Sequence, residues 1–439
     1  MSGLISLLDH TLYSAAPQPP RRAWPISREQ LELLHEVQRH LSSEVLLDLG
    51  EEGAQLPLRL FKALDRDTIL TQCYVGALSF GETRVSIGSR FDGTQQYFLR
   101  YLLERCWNIS SVLLAGGLAG TGELCGWLLV CRLAMQLQEA WRKGVFRAYR
   151  SLSCYDSQVR GQLDIPRHIR LSGGQDDGRA AYRTREYSPD NPCNRLLLLA
   201  FAAARRQYPR LTRRLLQTLP QCGDALRSLQ RQIPRWQDSR PRALLEQTRQ
   251  KITHPLHRGY EPARLTARAI LRHMGPELQG DGTVTGVLLD IDKLWEELLA
   301  KTLFSALPDP GRQQTFPILG GAREIRPDFL LPGLAVVDAK YRLSWGRTLD
   351  QDPWEGGVRE DVFQVLSYML ALNCPNGAVV FPVSRPAPVS VHPVSSARSD
   401  LLFWRLPFWI PREADSYQQF QDLLQAQTRA LRLFAPGPP

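Results

Sequence analysis

Hydrophobic and polar positions change their period several times along the chain. A Pro-rich stretch at 17–25 precedes apolar residues at helical spacing over 28–41, and the rest of the first 65 residues is loosely patterned. Between 70 and 90 the pattern alternates, predicting strands at Cys73–Leu78 and Arg84–Ile87 turned by Gly81-Glu82. From 95 to 138 the period becomes helical, broken by a loop at 115–122, and a strand-like segment spans 157–170. Residues 191–272 read as helices punctuated by Pro209, Pro220, Pro234, Pro241 and Pro255. Strands and helices then mix from about 284 to 386. A tail follows, first Pro-rich and aromatic, then helical over 414–434.

These periods predict an α/β chain, α+β overall, in five segments. They are an N-terminal extension (1–65), a mixed α/β region (66–185), a helical segment (186–280), a compact αβ unit (281–386) and a tail with a helix (387–439). At 439 residues there is room for two or three domains, and 43% hydrophobic with 22% charged residues is ordinary globular composition. The longest apolar candidate, 124–135, is short and contains Arg132, so it predicts a core helix and not a membrane span. Without a basic patch, apolar core and cleavage site at the N-terminus, a cytoplasmic location is expected.

Eight cysteines form no C-x-x-C pair, which argues against a zinc ribbon or a disulfide framework and leaves core thiols. His254 and His257 are spaced like half a metal site but lack a second pair. The loop 116–123 resembles a phosphate loop yet lacks its Lys-Ser/Thr, so the chain is not expected to hydrolyse ATP or GTP.

The formal charge of +10 suits a polyanionic partner. It is concentrated: residues 205–272 hold sixteen Lys/Arg against four acids, a local excess of +12. Pairing along helices cannot absorb so one-sided a run. Arg205, Arg206, Arg213 and Arg214, with Arg326 and Arg342 further on, are the candidate DNA contacts.

Candidate chemistry lies in the last third. Leu334–Tyr341 reads as a buried strand with polar residues at its end, and a period of two puts Asp338 and Lys340 on one face. A second strand, Ile325–Leu331, carries Asp328 and connects through Pro332-Gly333. Two carboxylates beside an ammonium suit phosphodiester hydrolysis: the acids hold Mg²⁺, with Mn²⁺ able to substitute, and the lysine orients a water or neutralises developing charge. The competing reading is a structural salt bridge. Acids make up about a tenth of the chain, 44 of 439, so one Asp-x-Lys triplet means little alone. Its position on an apolar strand, and the presence of only six lysines beside 48 arginines, give it weight. Burial of that lysine is expected to lower its pKa. A two-residue turn would pair 328 with 337 and separate the aspartates; a three-residue loop or a bulge would set 328 across from 338. Helix 292–303 offers Glu296 or Glu297 as an auxiliary acid, and helix 361–372 presents Gln364 and Tyr368 on one face.

In this order the pieces resemble the PD-(D/E)xK nucleases, and more closely the McrC family of modification-dependent restriction systems. Leu289–Glu296 resembles the family's helix entry, with Trp295 where Phe is usual. Arg326-Pro327-Asp328, Val336–Tyr341, Asp361–Gln364 with Tyr368, and Gly377–Pro382 resemble the motifs that follow. Tyr74-Val75-Gly76, Gly144–Tyr149, Val159–Asp164 and Asp190–Arg195 extend the resemblance to about 70–385.

The resemblance implies a restriction-endonuclease-like domain, a central mixed sheet flanked by helices, after an N-terminal region that docks on a motor. It implies a Mg²⁺-dependent DNA endonuclease subunit for anti-phage defence, with Asp328, Asp338 and Glu296 as metal ligands. Lys340 becomes the catalytic lysine, Gln364 and Tyr368 its helix companions, and the partner a McrB-like AAA+ GTPase or ATPase. A catalytically silent adaptor that binds DNA and stimulates a motor is the alternative.

Overall fold

The computed structural model describes residues 4–20, 22–41, 59–93, 95–106, 121–173, 177–274, 284–305, 312, 314–346, 358–394 and 401–431. In chain order, β1 (Leu4–Leu8), β2 (Leu12–Ser14) and β3 (Trp24–Pro25) precede α1 (Arg28–Arg39). Next come β4 (Phe61–Ala63), β5 (Thr68–Thr71), β6 (Tyr74–Phe80), β7 (Thr83–Gly88), α2 (Tyr97–Cys106) and α3 (Thr121–Trp141). The middle holds β8 (Ala148–Asp156), β9 (Gln162–Leu163), α4 (Ile165–Ser172) and β10 (Ala180–Ser188). Five helices follow: α5 (Pro192–Gln207), α6 (Pro209–Thr218), α7 (Pro220–Gln232), α8 (Pro241–Gln247) and α9 (Glu261–Met274). The last third begins with β11 (Thr285–Asp290), α10 (Ile291–Thr302), β12 (Phe316–Ile318), β13 (Arg323–Ile325), β14 (Phe329–Leu331) and β15 (Ala335–Ala339). It closes with α11 (Val358–Ala371), β16 (Asn376–Val383), β17 (Ser390–Pro393), β18 (Leu402–Trp409) and α12 (Tyr417–Ala430). The fold is α+β, with several mixed sheets.

Two compact units emerge. One gathers the described residues up to 106, 121–125 and from 287 onward; the other gathers those of 126–286. In the first unit, β1 lies parallel to β7 in a four-stranded sheet ordered β1-β7-β6-β11. A five-stranded mixed sheet is ordered β14-β15-β16-β18-β17. Its last two strands come from the segment read as tail, so the sheet extends beyond residue 386. The extension 1–65 likewise contributes strands, where its loose pattern suggested none. Helix α1 begins at Ser27, whose side chain accepts from Gln30 N in a capping box, and buries Leu31, Leu34 and Val37.

Strand β15 is buried along its whole length, as expected for a central strand covered on both faces. Helix α11 packs on β15 and β16. Gly377 permits this approach: a Cβ there would run into Met369 and Val365 of the helix. Val336, Val365, Tyr368, Met369, Val379 and Phe381 form part of the resulting apolar cluster.

In the second unit, helices α5 to α8 each start at a proline: Pro192, Pro209, Pro220 and Pro241. Proline costs nothing there, since first-turn amides have no helical acceptor. Strands β8 and β10 form a nine-residue antiparallel pair that the pattern did not reveal. The strand expected at 157–170 is instead a turn, two residues of β9, and α4. Val159, Leu163, Ile165 and Ile169 all occupy odd positions and so mimic alternation. Ile165 and Ile169 are also four apart, and Asp164 decides the outcome by capping the helix at Arg167 N with Pro166 in the first turn. The sequence 124–135 falls in α3, where Leu124, Leu128, Leu129 and Leu133 are fully buried. Among the described residues no helix is long and apolar enough to cross a membrane. Most of the phosphate-loop-like segment, 116–120, lies outside the described residues.

Candidate active site

The turn between β14 and β15 takes its three-residue form. Phe329 pairs with Val337, Leu330 with Val336 and Leu331 with Ala335, leaving Pro332, Gly333 and Leu334 as the loop. Leu334 N closes it on Leu331 O at 2.9 Å, and Gly333 has φ +71°, a conformation that favours glycine. Extending this register by one step sets 328 opposite 338. Asp328 Oδ2 accepts from Ala339 N at 2.7 Å, which fastens its carboxylate to the neighbouring strand.

Asp338 is 2% exposed. Lys340 Nζ lies 2.7 Å from its Oδ2, but off hydrogen-bond geometry, so this buried oxygen has no hydrogen-bond donor. Lys340 Nζ instead donates to Gln364 Oε1 at 3.1 Å and faces Asp361 Oδ1 at 3.7 Å. Gln364 Nε2 donates to Tyr368 Oη at 2.7 Å, and Tyr368 Oη reaches Arg326 O at 3.4 Å. The i,i+4 pair on α11 therefore positions the lysine.

The electrostatics follow from crowding. Burial, Asp338 and Glu296 together push the Asp328 carboxyl above its usual range. Burial works to lower the Lys340 ammonium, contrary to nothing but its neighbours: Asp338, Asp361 and Asp328 outweigh it and raise the pKa. The expected depression of Lys340 is thus corrected, because opposite charges surround it, and it stays protonated. Burial also raises the Tyr368 phenol.

Glu296 and Glu297 separate clearly. Glu297 is committed to Lys301 at 3.2 Å and Arg312 at 2.7 Å, whereas Glu296 lines a cleft of about 490 Å³ that also holds Lys340 and Arg342. Helix α10 is anchored beside this cleft by Asp290, which accepts from Asp292 N and Lys293 N, and by Ile291 N on Cys73 O. One atom each of Cys73, Asp290 and Asp292 lies within 4.8 Å of the others, a grouping that the cap role of Asp290 accounts for. Trp295 is fully buried against Phe408, with no partner for its indole Nε1, so the ring and not its polar atom fills this site.

Asp328, Asp338 and Glu296 offer oxygen ligands only, the kind a hard divalent cation takes. Asp328 feels the charge of both others, but among the described residues the three do not gather one atom each within 4.8 Å, and the buried Asp338 Oδ2 is paired with Lys340 at 2.7 Å. Arg342 stands 3.4 Å from Asp361 and Arg326 is exposed; Arg205, Arg206, Arg213 and Arg214 are exposed on α5 and α6 of the other unit. The His254 and His257 rings lie 5.3 Å apart at a tilt of 32°, with His257 Nε2 on Tyr187 Oη at 3.0 Å. Five of the cysteines are buried and two half-buried among the described residues.

Sequence reasoning gave no role to Asp361, 3% exposed, which accepts from Trp345 Nε1 at 2.8 Å and faces both Lys340 and Arg342. Its place on the Gln364 helix was the only available signal. His10 and Arg90, which also line the cleft, come from distant and weakly patterned segments.

A family model described as McrBC 5-methylcytosine restriction system component matches residues 69–382. No curated protein matches. The fold is similar to that of a chain in the refined half-complex from a tetradecameric assembly of Thermococcus gammatolerans McrB AAA+ hexamers with bound McrC. The TM-score is 0.53 at 14% identity, covering 98% of this chain and all of that one. A chain of the Thermococcus gammatolerans McrBC complex, solved by cryo-EM, is matched at a TM-score of 0.37 and 16% identity, over 70% of this chain and 88% of that one.

Proposed function

The chain belongs to the McrBC restriction-system component family, and from that premise we propose that it is the Mg²⁺-dependent DNA endonuclease subunit of an anti-phage restriction system. In this reading the β14–β18 sheet with α10 and α11 is a PD-(D/E)xK core. The observation that carries it is the three-residue turn that opposes Asp328 and Asp338 while Lys340 stands 2.7 Å from the latter.

Asp328, Asp338 and Glu296 would hold the cation, with Mn²⁺ able to replace Mg²⁺. When bound, it supplies Lewis-acid polarisation of the phosphodiester. Lys340, charged and held by Gln364, neutralises charge developing on the reacting phosphate. Tyr368 keeps Gln364 in place, and Asp361 holds Lys340 and Arg342 at the cleft.

The partner would be a McrB-like AAA+ GTPase or ATPase; in the Thermococcus assembly McrC is bound to McrB hexamers. An exposed apolar surface on β8–β10 and α4 supports such docking. Tyr149, Leu163, Ile165, Ile169 and Tyr187 are each between 44% and 66% exposed there. The basic helices α5 to α9 would contact DNA phosphates.

Plasmid cleavage tests the reading. The protein, alone or with the product of the neighbouring gene, should nick DNA in Mg²⁺ and stop in EDTA. Asp338→Ala should lose at least ~100-fold of the rate while keeping its fold, a loss typical of removing charge stabilisation from such a centre. Retained DNA binding without metal-dependent cutting under either condition would leave the adaptor as the function.

A further inference from the structure

The family match begins at residue 69, yet one residue that lines the cleft, His10, comes before it. Strand β1 zips parallel to β7 with Leu4 beside Arg84 and Leu8 beside Gly88. Immediately after it, Asp9 is 0% exposed and accepts from Arg90 N at 2.5 Å. Arg90 is almost as buried. Its Nη1 donates to His10 O at 3.3 Å and its Nη2 to Tyr341 O at 2.6 Å. Ser89 Oγ and Tyr341 Oη add a bond of 2.8 Å. Arg90, held by Asp9 and the His10 carbonyl, thus ties the segment after β1 to the residue that directly follows Lys340.

His10 sits at the end of this grip. Its φ is +43°, a left-handed conformation that histidine, like asparagine and aspartate, adopts more readily than most residues. The conformation is held by His10 N on Gln72 O at 3.2 Å and by the Arg90 bond to its carbonyl. The ring thereby reaches the cleft that Glu296 and Lys340 line, and Nε2 lies 3.2 Å from Asp292 Oδ1 on α10. The side chain so placed stands at the lip of a polar cleft: it is 28% exposed and its partner 45%, with the ring 6.2 Å from that of Tyr341.

We infer that His10, oriented by Asp292, is a DNA-contacting residue that binds a phosphate of the strand entering the Asp328–Asp338–Lys340 centre. The cleft needs such a contact. Two cations at the cleft are already engaged by carboxylates, Lys340 by Asp338 and Asp361, and Arg342 by Asp361. The Asp292 bond takes Nε2 and leaves Nδ1; a phosphate oxygen there, with Asp292 on the other side, favours the doubly protonated ring, in which Nδ1–H donates to the phosphate. The nuclease reading enters only in saying which strand occupies the cleft.

The test uses the full chain and His10→Asn. Asparagine tolerates a positive φ but is too short to span to Asp292. Duplex DNA affinity is measured with Ca²⁺ replacing Mg²⁺, then KM and kcat in Mg²⁺, with thermal unfolding alongside. His10→Asn should raise Kd and KM about tenfold, with kcat within about twofold and an unfolding midpoint at or above the parent's, as one lost charge-assisted hydrogen bond requires. Asp292→Asn should weaken binding less, and the double variant should be no worse than His10→Asn. Parental Kd and KM in His10→Asn, or a fall in unfolding midpoint that accounts for weaker binding, would overturn the inference. If the parent binds DNA but never cuts, while His10→Asn still binds more weakly, the phosphate contact stands and the nuclease reading alone fails.

Discussion

Two carboxylates facing each other across a turn repel, and Asp328 registers the consequence. Burial and the neighbouring Asp338 and Glu296 raise its pKa above the ordinary 3.8. A carboxyl whose pKa is higher folded than unfolded takes up a proton on folding. Its stabilising contribution is complete below about 3.8 and is lost as pH rises from there through the raised value. The metal-free chain should therefore lose thermal stability from this group over that rise. Asp328→Asn should flatten the decline, as should a saturating divalent cation, and melting curves at stepped pH check both. Lys340 answers the opposite pull: desolvation alone would discharge it, but three carboxylates keep it protonated. Which of these wins is a matter of distances, so the residue type alone could not decide it.

At the scale of elements, the turn 332–334 governs the site. A period of two means that a one-residue change in register sends a side chain to the opposite face, so the loop length determines whether Asp328 can meet Asp338. Gly333 makes the three-residue form affordable at φ +71°. Gly333→Val should destabilise the chain by ~1–2 kcal/mol through strain at that angle, read from denaturant unfolding. It should also weaken divalent-cation binding, read by calorimetry, more than a distant substitution of equal cost. The strands at 74–80 and 83–88, the proline-started helices and the Asp338 strand were legible because their local pattern agrees with their tertiary setting. The region 157–170 was not, because its apolar residues satisfy both periods and only the Asp164 cap resolves them. Strands β1 and β17 are short, and they are held by partners 80 residues away and by a late strand respectively. Nothing in their own composition announces them.

For the whole molecule, charge is the dominant feature. The excess of +12 across residues 205–272 is carried by helices whose arginines face solvent at 205, 206, 213 and 214. If they meet phosphates, each lost contact should lower the slope of log affinity against log salt by about 0.9. Replacing all four with alanine should therefore flatten the salt dependence of duplex binding and leave cation binding at Asp328 and Asp338 unchanged. An unaltered slope would assign those arginines to another surface. Fluorescence anisotropy across a salt series distinguishes the outcomes.

By itself the sequence determined where paired carboxylates stand near a lysine, where arginines concentrate, and most of the helical segments. Those properties are local: they depend on residue type, on spacing within one element, and on caps and prolines a few positions away. Only the tertiary structure decided that 328 opposes 338, that Glu296 faces the cleft while Glu297 pairs outward, and that His10 and Arg90 reach Lys340's strand. These are meetings between chain segments up to hundreds of residues apart, chosen by burial and sheet pairing, and no local pattern encodes them.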